Sequence, residues 1–88
     1  MRMDPNFEIV SIAGDYILVP VGERMESFNG TIVLNETSAY ILEQLKTEKS
    51  IEGILHLLVE KYDVDFETAR KDVDELINKM RKAGILNE

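Results

Sequence analysis

The sequence predicts a small α+β domain, with three short strands before residue 35 and three helices after it. Two patterns and one junction point to this. The segments Phe7–Ile12, Tyr16–Val19 and Thr31–Leu34 are short β-branched and apolar runs separated by turn and polar residues. Beyond them, Ser38, Ile41, Leu42 and Leu45 fall at helical spacing, and two further helical patterns follow. Asn35 sits where the two periodicities meet, so a strand ends and a helix begins with almost nothing between them.

The first strand alternates imperfectly. Ala13-Gly14-Asp15 supplies turn residues, with Gly14-Asp15 as the expected hairpin turn, and Tyr16-Ile17-Leu18-Val19 follows. Pro20 lacks an N–H for a ladder, so the second strand ends there or lies at a sheet edge. Residues 22–30 read as a polar connection, with Phe28 pinning it to the core. In the third strand, Thr31–Leu34, side chains alternate between faces, and Ile32 and Leu34 are assigned to the core. Which residues turn their backbone groups to the open side is not set by the sequence.

Asn35 caps the first helix through its side-chain oxygen, and Glu36 suits the positive end of the helix dipole. Lys46-Thr47-Glu48-Lys49 is a short polar link. Ser50 caps a second helix that runs to about Tyr62, with Ile51, Ile54, Leu55, Leu58, Val59 and Tyr62 on its buried side. Gly53 weakens it by roughly 1 kcal/mol relative to Ala unless close packing needs the space. Asp65 caps a third helix, with Val64 and Ala69 as a hydrophobic staple. Its apolar stripe is Phe66, Ala69, Val73, Leu76, Ile77 and Met80. Gly84 suits the left-handed position that closes the helix, and Ile85-Leu86 returns to the core.

Composition bounds the function. A chain of 88 residues allows one domain, 1–88, with a small core and little room for a catalytic cleft, so binding is favoured over catalysis. There is no cysteine, which removes disulfides, thiolate nucleophiles and sulfur-ligated zinc. No apolar run is long enough to span a bilayer, and Met1-Arg2-Met3-Asp4-Pro5 lacks the apolar core of a signal peptide, so a cytoplasmic location without membrane association is expected. The formal net charge of -7 disfavours nucleic acid, whose binding rests on phosphate neutralisation.

Candidate chemistry is sparse. His56 is the only histidine and has no partner at a useful spacing, which makes it a structural residue. The carboxylates of Asp63-Val64-Asp65-Phe66-Glu67 read as helix-start residues, because a calcium loop would need glycine where Thr68 stands. The glycines form no phosphate-cradling cluster. Neither a cofactor nor enzymatic activity is expected. On the third helix, Arg70, Asp74, Ile77 and Arg81 line one shoulder of the apolar stripe at spacings of four, three and four. They read as a solvated flank with an Arg70–Asp74 pair, or as one wall of a peptide groove with Ile77 at its exposed edge.

An ordered set of short motifs is more specific. Ile17-Leu18-Val19-Pro20-Val21-Gly22-Glu23, Phe28-Asn29-Gly30, Leu34-Asn35-Glu36, Ile41-Leu42, Asp72-Val73 and Gly84-Ile85-Leu86 together resemble the PqqD-like family, named for coenzyme PQQ synthesis protein D. The resemblance covers essentially the whole chain. It implies a winged-helix-like fold with a three-stranded antiparallel N-terminal sheet and three α-helices. It also implies a role as recognition element for ribosomally made, post-translationally modified peptides. Such a module holds the leader segment of a precursor peptide and presents the rest to a modifying enzyme, often a radical S-adenosylmethionine (radical SAM) protein. Relatives often carry a glycine in the link after the first helix, where this chain has Lys46-Thr47-Glu48-Lys49.

By the resemblance, the leader adds as a strand to Thr31, Ile32, Val33 and Leu34 and lies against the third helix, where Arg70, Asp74, Ile77 and Arg81 are the expected contacts. On that assignment Ile77→Asp and Arg81→Ala weaken binding with little loss of helicity. The alternative is a winged-helix DNA-binding regulator with the third helix as recognition element. Its Arg70, Lys71, Lys79, Arg81 and Lys82 are interspersed with Glu67, Asp72, Asp74 and Glu75 and form no stripe of one sign.

Overall fold

The computed structural model describes residues 1–28 and 30–88. Asn29, the middle residue of the Phe28-Asn29-Gly30 motif, lies outside the described residues. Chain order is β1 (Arg2–Met3), β2 (Phe7–Ile12), β3 (Asp15–Pro20), α1 (Arg24–Ser27), β4 (Ile32–Leu34), α2 (Glu36–Gln44), α3 (Ile51–Tyr62), α4 (Phe66–Lys82) and β5 (Leu86–Asn87). β2, β3 and β4 form an antiparallel sheet in that order, and β1 pairs with β5 in a separate two-stranded ladder. The three expected strands and three expected helices are therefore present. Two small features accompany them.

The first is α1, a single turn inside the segment read as a polar connection. Four residues are too few to show a helical apolar period, and tertiary contacts hold the turn instead. Arg24 donates from Nε to Oδ2 of the buried Asp4 at 3.1 Å and from Nη2 to the Gly84 carbonyl at 3.2 Å. Its guanidinium also lies 5.8 Å from the centre of the Phe7 ring. Phe28 meets Phe7 edge to face, with ring centres 5.1 Å apart, and so ties the connection to the core as its sequence position suggests. The second feature is the β1–β5 ladder. Met3 donates to the Leu45 carbonyl and Asp4 to that of Ile85, each at 2.7 Å, which anchors the N-terminal segment to the ends of α2 and α4. Strands of two residues have no periodicity to read.

The turn between β2 and β3 is one residue earlier than expected. Ile12 pairs with Asp15, so Ala13 and Gly14 are its two central residues and Asp15 belongs to β3. Both central residues have positive φ, 51° and 87°, the signs of the type I′ turn that suits the twist of a two-residue hairpin. Glycine bears this freely, whereas alanine is strained by its Cβ. Ala13→Asn, which makes the preferred Asn-Gly pair, is expected to stabilise the fold by roughly 0.5–1 kcal/mol and raise Tm by about 4 °C in thermal melts.

All three long helices start on the residues that sequence marks as caps. Asn35 Oδ1 accepts from the Ser38 N–H at 2.7 Å, Ser50 Oγ from Gly53 at 3.1 Å and Asp65 Oδ1 from Thr68 at 2.8 Å. The Thr68 N–H bond holds the Asp65 carboxyl below its ordinary pKa. Gly53 leaves space for its cap, since a Cβ there would meet Ser50 Oγ at 3.3 Å.

One core joins sheet and helices. Leu18 and Leu34 come from the sheet, Ile41, Leu42 and Leu45 from α2 and the residue after it, and Ile54, Leu55 and Leu58 from α3. Ala69, Val73, Leu76, Ile77 and Met80 of α4 join them, with Met3, Phe7, Ala39 and Ile85. Phe66 departs from its expected place in the stripe. It is exposed at the first turn of α4, where the Arg70 guanidinium lies 5.6 Å from its ring centre.

Candidate peptide-docking groove

β4 pairs with β3 and has no second strand neighbour among the described residues, so it is an open edge. Its side chains alternate as expected. Ile32 and Leu34 turn to the core, whereas Val33 is 69% exposed.

The hairpin sets the phase of the backbone groups. Ile12 and Asp15 close a two-residue turn and so form a hydrogen-bonded pair, and in an antiparallel ladder such pairs recur at every second position. Asp15, Ile17 and Val19 therefore turn N–H and C=O toward β2, while Tyr16 and Leu18 turn theirs toward β4. Just beyond β3 the phase persists, since the Val21 N–H donates to the Asn6 carbonyl at 2.7 Å. Tyr16–Leu34 and Leu18–Ile32 are then the bonded pairs across β3 and β4, with Ile17–Val33 between them. Val33 directs both of its backbone groups to the open side.

Beside this edge lies a groove of about 280 Å³. β4 contributes Val33 and Leu34. The cap of α2 follows directly, so Asn35, Thr37, Ser38 and Ile41 form a neutral second side. The third side is α4, through Asp72, Glu75, Leu76 and Lys79.

The wall formed by α4 is not the shoulder marked in the sequence. At about 100° per residue, Asp72, Glu75 and Lys79 lie roughly 120–180° around the helix from Arg70, Asp74 and Arg81. An amphipathic helix has two such shoulders, and its own sequence does not say which one faces β4. Arg70 turns to α3, where Nη2 donates to Glu52 Oε1 at 3.0 Å, so the Arg70–Asp74 pair is replaced by a tertiary one. Arg81 makes a two-pronged contact with Glu88, at 2.9 Å from Nε and 2.6 Å from Nη2. That contact raises the pKa of Arg81 and lowers that of Glu88. Asp74 is half-buried on the same side. Ile77, expected at an exposed edge, is only 1% exposed and belongs to the core. Of the residues expected at the groove, Val33 and Leu34 line it, whereas Thr31, Ile32, Arg70, Asp74, Ile77 and Arg81 do not. Asp72 was visible in the Asp72-Val73 motif. Glu75 and Lys79 had no signal beyond their four-residue spacing.

A second cleft lies between the sheet, α2 and α3, around Tyr16, Tyr40 and Tyr62. It is partly filled by Lys61, whose Nζ sits 4.9 Å from the Tyr40 ring centre and 5.6 Å from that of Tyr62. The Tyr62 hydroxyl is buried without a hydrogen-bond partner among the described residues, and burial raises its pKa. His56 is exposed on α3. Among the described residues, no group of three or more His, Cys, Asp or Glu could hold a metal ion, and no helix is long and apolar enough to cross a membrane.

The family model described as coenzyme PQQ synthesis protein D (PqqD) matches residues 15–86, a span that runs from the start of β3 into β5. The chain belongs to the PqqD family. The matched region holds all three sides of the groove, the β4 edge, the start of α2 and the α4 wall. Two solved structures share the PqqD-family fold of this chain over nearly its full length. One is TbiB1 in complex with the TbiA(beta) leader peptide, with a TM-score of 0.77 and 17% identity, covering 99% of this chain and 95% of that one. The other is lasso peptide synthetase B1 complexed with the leader peptide, with a TM-score of 0.75 and 21% identity, covering 99% of this chain and 96% of that one. No curated protein matches this chain.

Proposed function

We propose that this PqqD-family chain is a non-catalytic module that binds the leader segment of a ribosomally synthesised precursor peptide. The leader adds as a strand to β4, its side chains enter the groove against α2 and α4, and the module delivers it to a modifying enzyme of the radical SAM type. The observation that carries this reading is the Val33 backbone. Its N–H and C=O face outward on an open edge, beside a groove that can receive alternate side chains of an added strand. Two solved proteins of this fold are complexes with leader peptides, which supports the same reading.

Magnitudes assign a role to each part of the contact. Two hydrogen bonds at Val33, at about 0.5–1.5 kcal/mol net each, supply at most about 3 kcal/mol. A micromolar complex needs about 8 kcal/mol. Main-chain pairing therefore sets register, and side chains in the groove supply most of the affinity and all of the selectivity.

Amide hydrogen exchange tests the docking edge. On addition of the precursor peptide that co-purifies from the native host, the Val33 amide should become protected, while those of Ile32 and Leu34 are already protected in the free protein. Ile9 and Ser11, which by the same phase face outward on the opposite edge strand β2, should not change. Protection at β2 and not at Val33 would place the peptide on the other edge.

Duplex DNA is expected to bind weakly or not at all at physiological salt. The net charge is -7, and the exposed residues of α4 interleave Arg70, Lys71 and Lys79 with Glu67, Asp72 and Glu75. A salt series on a generic duplex and on candidate operators checks this. Tight binding that falls steeply with salt would favour the regulator reading.

A further inference from the structure

We infer that the groove selects its peptide by charge: the strand it accepts sets a lysine or arginine side chain against Asp72 and Glu75, next to an apolar residue packed on Leu34 and Leu76. The inference rests on the strand-addition reading and adds the class of peptide it takes.

The charges on the two shoulders of α4 are used differently. On the side away from β4, Arg70 is paired with Glu52 and Arg81 with Glu88. On the groove side, Asp72, Glu75 and Lys79 take part in no ion pair among the described residues, although Glu75 and Lys79 are four apart and within reach on a helix. The α2 side contributes no charge to offset the two carboxylates, because Asn35, Thr37, Ser38 and Ile41 are neutral. The protein as a whole is also acidic, at -7, so its long-range field has the same sign as this wall.

Covering the groove with a strand removes water from Asp72 and Glu75. A carboxylate that loses water without gaining a cation or a hydrogen bond is penalised, so an acidic or wholly apolar strand is disfavoured where a basic one is not. Leu34 and Leu76, on the same face as these carboxylates, provide the adjoining apolar contact. Side chains on one face of a strand recur every second residue. The basic and apolar residues of the peptide should therefore be two positions apart.

The test uses the full chain and a display library of random 12-residue peptides, with enriched sequences synthesised and titrated. Peptides that depend on the β4 edge, identified because Val33→Pro weakens their binding about tenfold or more, should carry Lys or Arg two positions from an apolar residue. Asp72→Asn with Glu75→Gln should weaken them about tenfold. Alanine at the basic residue of the peptide should cause a similar loss that is not compounded in that double variant. Arg70→Gln should leave affinity unchanged. Selection on Asp72→Lys with Glu75→Lys should return acidic peptides. Thermal melts check that every variant is folded, and all three of these α4 positions are exposed. Edge-dependent peptides without a basic residue, or indifferent to Asp72 and Glu75, would overturn charge selection and leave strand addition standing. If no peptide is enriched, or none depends on Val33, both fail.

Discussion

Val33→Pro is expected to fold and to bind its leader peptide much more weakly, whereas Ile32→Pro is expected to destabilise the fold. The two residues are adjacent in β4, and the phase of the β2–β3 hairpin separates them. The Ile32 N–H belongs to the bonded pair with Leu18, so proline there removes a ladder bond and leaves a Leu18 carbonyl unsatisfied, which costs roughly 1–3 kcal/mol. The lost packing of a side chain that contacts the core adds about 1–2 kcal/mol. Val33 is the opposite case. Its N–H points away from the sheet, its side chain is 69% exposed, and proline restrains the preceding residue to the extended backbone it already has. The peptide then faces a ring where it needs a donor, and its own carbonyl is left unpaired. A loss of roughly 5- to 150-fold follows from about 1–3 kcal/mol. Calorimetric titration of the leader into each variant, with circular dichroism to verify the fold, measures both effects. If a folded Val33→Pro protein binds like the parent, leader docking at this edge is wrong.

Ile77→Asp is expected to unfold the domain and not merely to weaken binding. Domains of this size are stable by about 4–13 kcal/mol, at roughly 0.05–0.15 kcal/mol per residue. Removing a buried isoleucine side chain costs about 2–5 kcal/mol. Placing a carboxylate at a site only 1% exposed adds several kcal/mol more, either as an unpaired charge or as the work of protonating it. Ile77→Val, by contrast, removes one methyl and should cost about 1 kcal/mol, a drop of roughly 4–8 °C in Tm. Urea unfolding of the two variants beside the parent checks the pair. A cooperatively folded Ile77→Asp protein would mean that this face of α4 is not core. Arg81→Ala breaks only an exposed contact with Glu88 and should leave both fold and peptide binding near the parent.

Local signals were legible wherever the physics is local. A cap needs one short polar side chain at the right residue, so Asn35, Ser50 and Asp65 could be placed from neighbours alone. The α4 stripe likewise followed from a 3.6-residue period, with one error at Phe66, because a stripe does not show where along the helix the core ends. Ala13 was missed as a turn centre because alanine rarely accepts positive φ, and the pairing of Ile12 with Asp15 imposes it. The one-turn α1 and the two-residue β1 and β5 depend on Arg24, Asp4 and backbone bonds between distant segments, which no short window contains.

The sequence by itself determined the order of the three main strands and three long helices, the assignment of Ile32 and Leu34 to the core, the absence of sulfur chemistry and the acidic charge. It also carried the motifs that resemble the PqqD family. Each of these depends on residue type and short spacing. Only the tertiary structure decided which shoulder of α4 faces β4 and which strand residue offers its backbone outward. A helix with one apolar stripe has two flanks that are equivalent until a neighbouring element covers one, and an edge strand has two possible phases until a turn in another strand sets one. Both choices are made by contacts between segments far apart in the chain, here the packing of α4 beside α2 and β4 and the hydrogen-bond phase transmitted from the Ala13–Gly14 turn through β3 to Val33.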